Sequence, residues 1–170
     1  MNAATLPASL PHDAPRPRDG HAELAHALLA RAAERGRVQG VAYAGLVTPR
    51  EAWRLHEAGL AAIVDVRTRP EWEFVGHVED TPLIEWRPYG AAAPDPGFVD
   101  KLAARFPRDA AILLLCRSGV RSHHAAEAAA KSGFARVFNI LEGFEGDSDD
   151  DGRRGNLGGW RHAGLPWAQG

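Results

Sequence analysis

The sequence predicts an α/β fold, with a mainly parallel sheet of five strands and helices on both of its faces. Short apolar runs alternate with helical patterns along most of the chain, and such alternation is typical of parallel sheets. Capping residues and glycines mark where the helices begin and end. The chain has 170 residues, of which 45% are hydrophobic, so it can build the core that this fold needs.

The first part of the chain is predicted to be an extension, residues 1–40, in front of a domain that spans 41–170. Residues 1–20 contain four prolines and are interpreted as a flexible arm. A helix is predicted over 21–37 because four apolar residues share one helical stripe. These residues are Leu24, Leu28, Leu29 and Ala32. Gly36 and Gly40 are expected to end this helix, which we expect to pack on its own domain.

The second helix has a clear start. Thr48 can cap it, Pro49 suits the first helical position, and Glu51 completes a capping box. Gly59 is the expected stop.

The remaining elements follow from apolar runs and turn residues. The five predicted strands lie at about 46–47, 61–66, 83–86, 111–115 and 135–140. A third helix opens at Asp95 and closes at Pro107, and a fourth spans 122–132. The aromatic and apolar residues near the C-terminus predict that the tail docks on the domain.

Composition argues against several partners and locations. The net charge is −2, so neither nucleic acid nor a membrane is indicated as a partner. No apolar run approaches the roughly 20 residues of a membrane helix, and the Pro-rich start lacks the apolar segment of a secretory signal. The single cysteine cannot form an internal disulfide. A free thiol without a signal peptide predicts a cytoplasmic protein.

That single cysteine, Cys116, is the strongest functional signal. It follows the apolar run 111–115 and opens a short loop that leads into the alanine-rich helix 122–132. Backbone N–H groups in such a loop and at a helix N-terminus bind anions, and Arg117 and Arg121 add positive charge. A thiolate is stabilised in this setting. Parallel sheets bind ligands at the carboxyl ends of their strands, so a nucleophile is favoured over a buried apolar cysteine.

Four segments together resemble the rhodanese-like sulfurtransferases. The first is 63–67 with Glu71 and 76–78, the second is the Cys116 loop, and the others are 138–143 and 160–166. They follow the order of the family and cover about 45–170. The resemblance implies a five-stranded parallel domain that moves sulfane sulfur through a cysteine persulfide. The donor would be thiosulfate or another persulfide, and the resemblance implies no separate cofactor.

The resemblance also implies roles for individual residues. Cys116 is the nucleophile that accepts the sulfur. The implied anion-binding loop consists of Arg117, Ser118, Gly119, Val120, Arg121 and Ser122. Its N–H groups would hold the outer sulfur of the persulfide, and Arg121 would orient the loop or bind the anionic donor. Asp65, Arg67 and Glu71 would brace the loop; an ordinary ion pair is an equal alternative for Asp65 and Arg67.

Two features narrow the expected chemistry. Ser118 stands where some thiosulfate-using members of the family carry a basic residue, which argues against thiosulfate as the physiological donor. The chain has no second cysteine, so the sulfur must leave to an external acceptor. We expect cyanide to serve in the test tube, and a small thiol or a protein in the cell.

Two other functions compete with sulfur transfer. A cysteine phosphatase or arsenate reductase on the same fold would use a similar loop. Phosphatases, however, place five residues between the cysteine and the arginine, whereas four separate Cys116 from Arg121. A non-catalytic binding module would use the pocket only for recognition, and loss of the cysteine would be its sign.

No metal site is predicted. Residues 147–152 match the first six positions of a calcium loop, but Gly158 occupies the twelfth position, which requires a bidentate glutamate. His123 and His124 are neighbours on a helix and are expected to point in different directions, so they should not share one ion.

Overall fold

The computed structural model describes residues 19–170 and contains one parallel sheet covered by helices. The strands are Gly45–Val47 (β1), Ala62–Asp65 (β2), Ile112–Leu115 (β3) and Val137–Ile140 (β4). The helices are Asp19–Gln39 (α1), Pro49–Glu57 (α2), Phe98–Arg105 (α3) and Val120–Lys131 (α4), and a π-helical turn spans Glu71–Val75. The strand order is β1-β4-β3-β2, with every pair parallel. The predicted α/β class is therefore confirmed.

The predicted fifth strand is not a regular strand in the part of the chain that the structure describes. The segment 82–86 runs beside β2, with one parallel bridge between Asp65 and Leu83. The N–H of Ile84 donates to the carbonyl of Asp65 at 2.9 Å, and the N–H of Trp86 donates to Val66 at 3.0 Å. The segment stays short because Pro82 has no N–H to donate and the chain bends at 86–87.

The predicted helix start was accurate where the residues that define it are close together in the chain. Thr48 and Glu51 form the predicted capping box at the start of α2. The helix α1 continues past Gly36 to Gln39, so the predicted stop is wrong for Gly36 and confirmed for Gly40. A side chain at Gly36 would lie 2.7 Å from the Cα of Gly45, so this glycine lets α1 pack closely on β1. Residues 1–18, most of the predicted arm, lie outside the described residues.

The two faces of the sheet are covered by different elements. On one face, Ile63 and Leu113 belong to a buried cluster with residues of α1 and α2. On the other face, Val64 and Leu114 pack with α3 and α4. Neighbouring residues of one strand thus point to opposite sides, as strand geometry requires. The alanines of α4 let this helix lie close to the sheet, which sets its N-terminus beside the end of β3.

The tail docks on the domain as predicted. Trp160 is fully buried, and its indole Nε1–H donates to the carbonyl of Pro166 at 2.8 Å. Its backbone N–H donates to the carbonyl of Gly143 at 2.8 Å, which ties the tail to the segment after β4. Within residues 19–170, every helix is too short or too polar to cross a membrane.

Candidate active site

Cys116 lies at the carboxyl end of β3, where the chain turns toward α4. The residue is only 1% exposed. Its Sγ accepts a hydrogen bond from the N–H of Gly119 at 3.1 Å and lies 3.1 Å from the hydroxyl oxygen of Ser122. Gly119 has a φ of 97°, which glycine adopts at little cost. This residue therefore lets the loop fold back over the sulfur.

The loop also presents N–H groups that can bind an anion. Helix α4 begins at Val120, earlier than the predicted Ser122, and the first amides of a helix have no intrahelical acceptor. Among residues 19–170, no backbone carbonyl accepts from the amides of Arg117, Ser118, Val120 or Arg121. Together with the helix dipole, these amides favour negative charge at Sγ and just beyond it.

The segment that follows β4 supports the Cys116 loop through backbone hydrogen bonds. The N–H of Phe144 donates to the carbonyl of Cys116 at 2.8 Å, and the N–H of Glu145 donates to Arg117 at 2.9 Å. Gly143 has a φ of 63°, and a Cβ there would lie 2.5 Å from the carbonyl oxygen of Cys116. Gly143 is thus a site residue that sequence analysis missed, because the motif 138–143 does not say what this glycine approaches.

The predicted supporting residues Asp65 and Arg67 form a fully buried ion pair of 2.7 Å. Arg67 also donates to the carbonyl of Gly76 at 2.7 Å, and its guanidinium lies 4.2 Å from the ring centroid of Phe144, within cation–π range. The backbone of Phe144 in turn holds Cys116. The predicted ion pair is therefore present and contacts the loop indirectly through Phe144, while its role in bracing the loop stays a prediction.

Glu71 holds the guanidinium of Arg121 in a bidentate pair, with distances of 2.8 and 2.6 Å. Burial alone would raise the pKa of Glu71, but hydrogen bonds from Arg121 and Thr68 outweigh it and lower the pKa to about 2. The bond to Glu71 raises the pKa of Arg121, and negative charge on Cys116 acts in the same direction. Two of the five N–H donors of Arg121 are thus committed to Glu71, which fixes this arginine at the end of the loop.

Removing the Glu71 carboxylate should make the stability of the protein less dependent on acid pH. Because folding lowers the pKa of Glu71 from 4.5 to about 2, its stabilisation is fully present above about 4.5 and is lost as the pH falls through about 2. The stability difference between wild type and Glu71→Gln should therefore be largest near neutral pH and shrink below about 4.5. Urea unfolding at a series of pH values measures it.

Glu73→Gln is the control for this experiment. Glu73 lies in the same π-helical turn, and its carboxylate meets Arg69 only at 3.5 Å on the surface, where ion pairs contribute little. It should leave the stability nearly unchanged at every pH. An equal effect of the two substitutions would contradict the role assigned to the Glu71–Arg121 pair.

Two cavities open beside the loop, and Arg87 and Arg121 line both of them. One, of about 460 Å³, also includes Tyr89 and Arg117; the other, of about 570 Å³, includes Val120. In the described part of the chain, Arg87 and Arg117 form no ion pair, whereas the glutamates of the first cavity pair with Arg121 and Arg161. The opening that these two cavities form beside the loop, the mouth of the site, is therefore positively charged, which favours an anionic ligand. Arg87 belongs to no motif, so sequence analysis did not identify it.

A buried polar cluster lies behind Cys116. Besides Cys116, the hydroxyl of Ser122 contacts Asn139 Oδ1 at 2.6 Å, and Asn139 Nδ2 donates to the carbonyl of Gly119 at 3.0 Å. The hydroxyl of Tyr43 lies 2.7 Å from His123 Nδ1. Burial raises the pKa of Tyr43 to about 12 against the opposing effect of a hydrogen bond from Asn139. Asn139 and Tyr43 were not predicted as site residues; the only signal was a polar residue inside an apolar strand.

The structure qualifies the arguments on metal sites. The carboxylate of Asp149 accepts from the N–H groups of Asp151 and Arg153 and from Asn156, so this turn is held by hydrogen bonds among its own and neighbouring residues. His123 and His124 both approach Glu127, and one ligand atom of each residue lies within 4.8 Å of the others. The two histidines therefore lie closer together than expected for neighbours on a helix, while the expectation that they do not share one ion stays a prediction.

Comparison with known proteins places the site in a family context. The family model described as "Rhodanese-like domain" matches residues 48–150. The crystal structure of Rv0390 from M. tuberculosis superposes with a TM-score of 0.68 at 41% identity, covering 75% of this chain and 99% of that one.

Two curated relatives extend the comparison. The uncharacterized protein RP600 of Rickettsia prowazekii is 35% identical over 111 residues, which cover 63% of this chain and 82% of RP600. The thiosulfate sulfurtransferase GlpE of Actinobacillus pleuropneumoniae is 26% identical over 120 residues, covering 71% and 89% of the two chains.

Proposed function

The chain belongs to the rhodanese-like domain family, and we propose that it is a sulfurtransferase that carries sulfane sulfur on Cys116. One observation carries the proposal: a single cysteine at the end of β3 has its Sγ within 3.1 Å of the Gly119 amide, and four other amides of this loop have no backbone acceptor among the described residues. Thiolates, not thiols, attack sulfur donors, and this loop stabilises negative charge before and after the attack.

The reaction has two steps. In the first, the Cys116 thiolate attacks the outer sulfur of an anionic donor such as thiosulfate; the sulfur–sulfur bond of the donor breaks, and sulfite leaves with the electron pair. The new outer sulfur carries the charge and is held by the loop amides. In the second step, an acceptor takes this sulfur and Cys116 leaves as the thiolate.

The positive charge at the mouth of the site and the burial of Cys116 favour an anionic donor whose reactive end is narrow. Arg87 and Arg117 supply charge without ion-pair partners among the described residues, while Cys116 itself is 1% exposed. Because Cys116 is buried, a donor that presents a single terminal sulfur atom suits the site better than one with a broad reactive group. Because the chain has one cysteine, the acceptor is external, either cyanide, a small thiol or a protein, and a reducing compartment such as the cytoplasm suits the free thiol.

The purified protein is expected to transfer sulfur from thiosulfate to cyanide and to leave p-nitrophenyl phosphate intact. A loop with four residues between Cys116 and Arg121 is expected to surround a single sulfur atom, and hydrogen-bond donors displaced by about an ångström from a phosphoryl group lose about a hundredfold in rate. Thiocyanate and p-nitrophenol are measured on the same preparation. Phosphatase activity without thiocyanate would reverse the assignment, and inactivity with every small donor would favour a binding module.

A further inference from the structure

The hydroxyl of Ser122 has one proton and two possible acceptors. Its Oγ lies 3.1 Å from Cys116 Sγ and 2.6 Å from Asn139 Oδ1. Ser122 is fully buried and Asn139 is 4% exposed, so both contacts lie inside the protein. A hydroxyl donates one hydrogen bond at a time, so the two acceptors compete for the same proton.

The orientation of Asn139 is fixed by its other contact. Its Nδ2 donates to the carbonyl of Gly119 at 3.0 Å, and a carbonyl oxygen can only accept. The amide oxygen of Asn139 therefore faces Ser122, and this oxygen also only accepts. It follows that Ser122 cannot receive a proton from Asn139 and must donate either to Asn139 or to the sulfur.

We propose that Ser122 is a further catalytic residue that donates to Sγ when Cys116 is a thiolate and turns to Asn139 when Cys116 carries sulfane sulfur, with Asn139 as its positioning residue. The inference rests on the proposed sulfurtransferase function. A thiolate is a charged and strong acceptor, and hydrogen bonds to charged groups are the stronger ones. In the persulfide the charge moves to the outer sulfur, and Sγ becomes a weak, neutral acceptor.

The rotation of Ser122 bears on both chemical steps. When thiosulfate loads the enzyme, Sγ gains a bond to the outer sulfur, and sulfite takes the electron pair of the broken bond. The Ser122 hydroxyl then turns and donates its hydrogen bond to Asn139. When cyanide attacks the outer sulfur, thiocyanate forms and the electron pair returns to Sγ. The Ser122 hydroxyl then turns back to donate to Sγ, and this hydrogen bond stabilises the departing thiolate.

Substitutions at Ser122 and Asn139 should therefore shift the loading equilibrium in opposite directions. Ser122→Ala removes a donor from the thiolate, which should raise the constant for loading by thiosulfate against sulfite about tenfold or more. Ser122→Thr keeps the hydroxyl and should restore a value near that of wild type. Asn139→Leu removes the competing acceptor, leaves Ser122 to the thiolate, and should lower the constant by about threefold.

The experiment equilibrates each protein with fixed ratios of thiosulfate to sulfite at one fixed pH and counts the loaded molecules by intact mass. An increase in Ser122→Ala that Ser122→Thr reverses supports the inference. Equal constants for Ser122→Ala and wild type overturn it, as does an increase in folded Asn139→Leu. If Asn139→Leu does not fold, the serine pair alone decides. A wild type that takes up no sulfur contradicts the proposed function itself, and this inference with it.

Discussion

Replacing Cys116 by serine is expected to reduce thiosulfate:cyanide sulfur transfer to the rate without enzyme. The chain has no other thiol, and an un-ionised hydroxyl is a far weaker nucleophile than a thiolate. The fold should persist, because serine is close to cysteine in size and its oxygen can accept the Gly119 N–H as Sγ does. Steady-state thiocyanate formation and thermal unfolding measure the two outcomes.

The informative result is the combination of these two measurements. Lost activity in a protein that unfolds at nearly the wild-type temperature assigns the chemistry to Cys116. Transfer above the background rate in a folded Cys116→Ser protein would remove Cys116 from the mechanism.

The second large effect is expected at Gly143, which lies against the backbone of the Cys116 loop. A Cβ at this position would lie 2.5 Å from the carbonyl oxygen of Cys116 and 2.6 Å from the amide nitrogen of Ser118. Both atoms are backbone, so Gly143→Ala must displace the loop. A displacement of about an ångström can cost about a hundredfold in rate, and we expect a loss of that order in kcat/KM for sulfur transfer.

Gly164 is a matched control for this substitution. Its φ of 68° is close to the 63° of Gly143, but a Cβ there would meet nothing within 4 Å. Gly164→Ala should therefore show only the cost of an alanine in the left-handed region, about 1–2 kcal/mol of stability, with kcat/KM unchanged. Equal kcat/KM values for the two variants would mean that the position of the Cys116 loop does not depend on Gly143.

The parts of the site that sequence analysis predicted are contiguous in the chain. The apolar run of β3, the cysteine after it and the helix that follows appear one after another in the sequence. The order of these elements therefore predicts a thiol beside the amides of a helix N-terminus. The capping box of Thr48 and Glu51 was predictable for the same reason, since both partners lie within one turn.

The site residues that sequence analysis missed are brought to the site by the order of the strands in the sheet. Because β4 lies beside β3, Asn139 comes to lie behind Cys116, and Gly143 comes to lie against the loop. A single sequence shows only a polar residue in one strand and a glycine after another. The fifth strand was overpredicted for a related reason: the apolar run 83–86 is real, but Pro82 and the bend at 86–87 limit its pairing with β2.

The most direct test of the account is the mass of the peptide that contains Cys116 after incubation with thiosulfate. We predict that this peptide gains the mass of one sulfur atom, that cyanide removes the gain while thiocyanate appears, and that the Cys116→Ser protein shows no gain. Turnover of thiosulfate and cyanide with no sulfur on the Cys116 peptide, or with sulfur on another residue, would contradict the account.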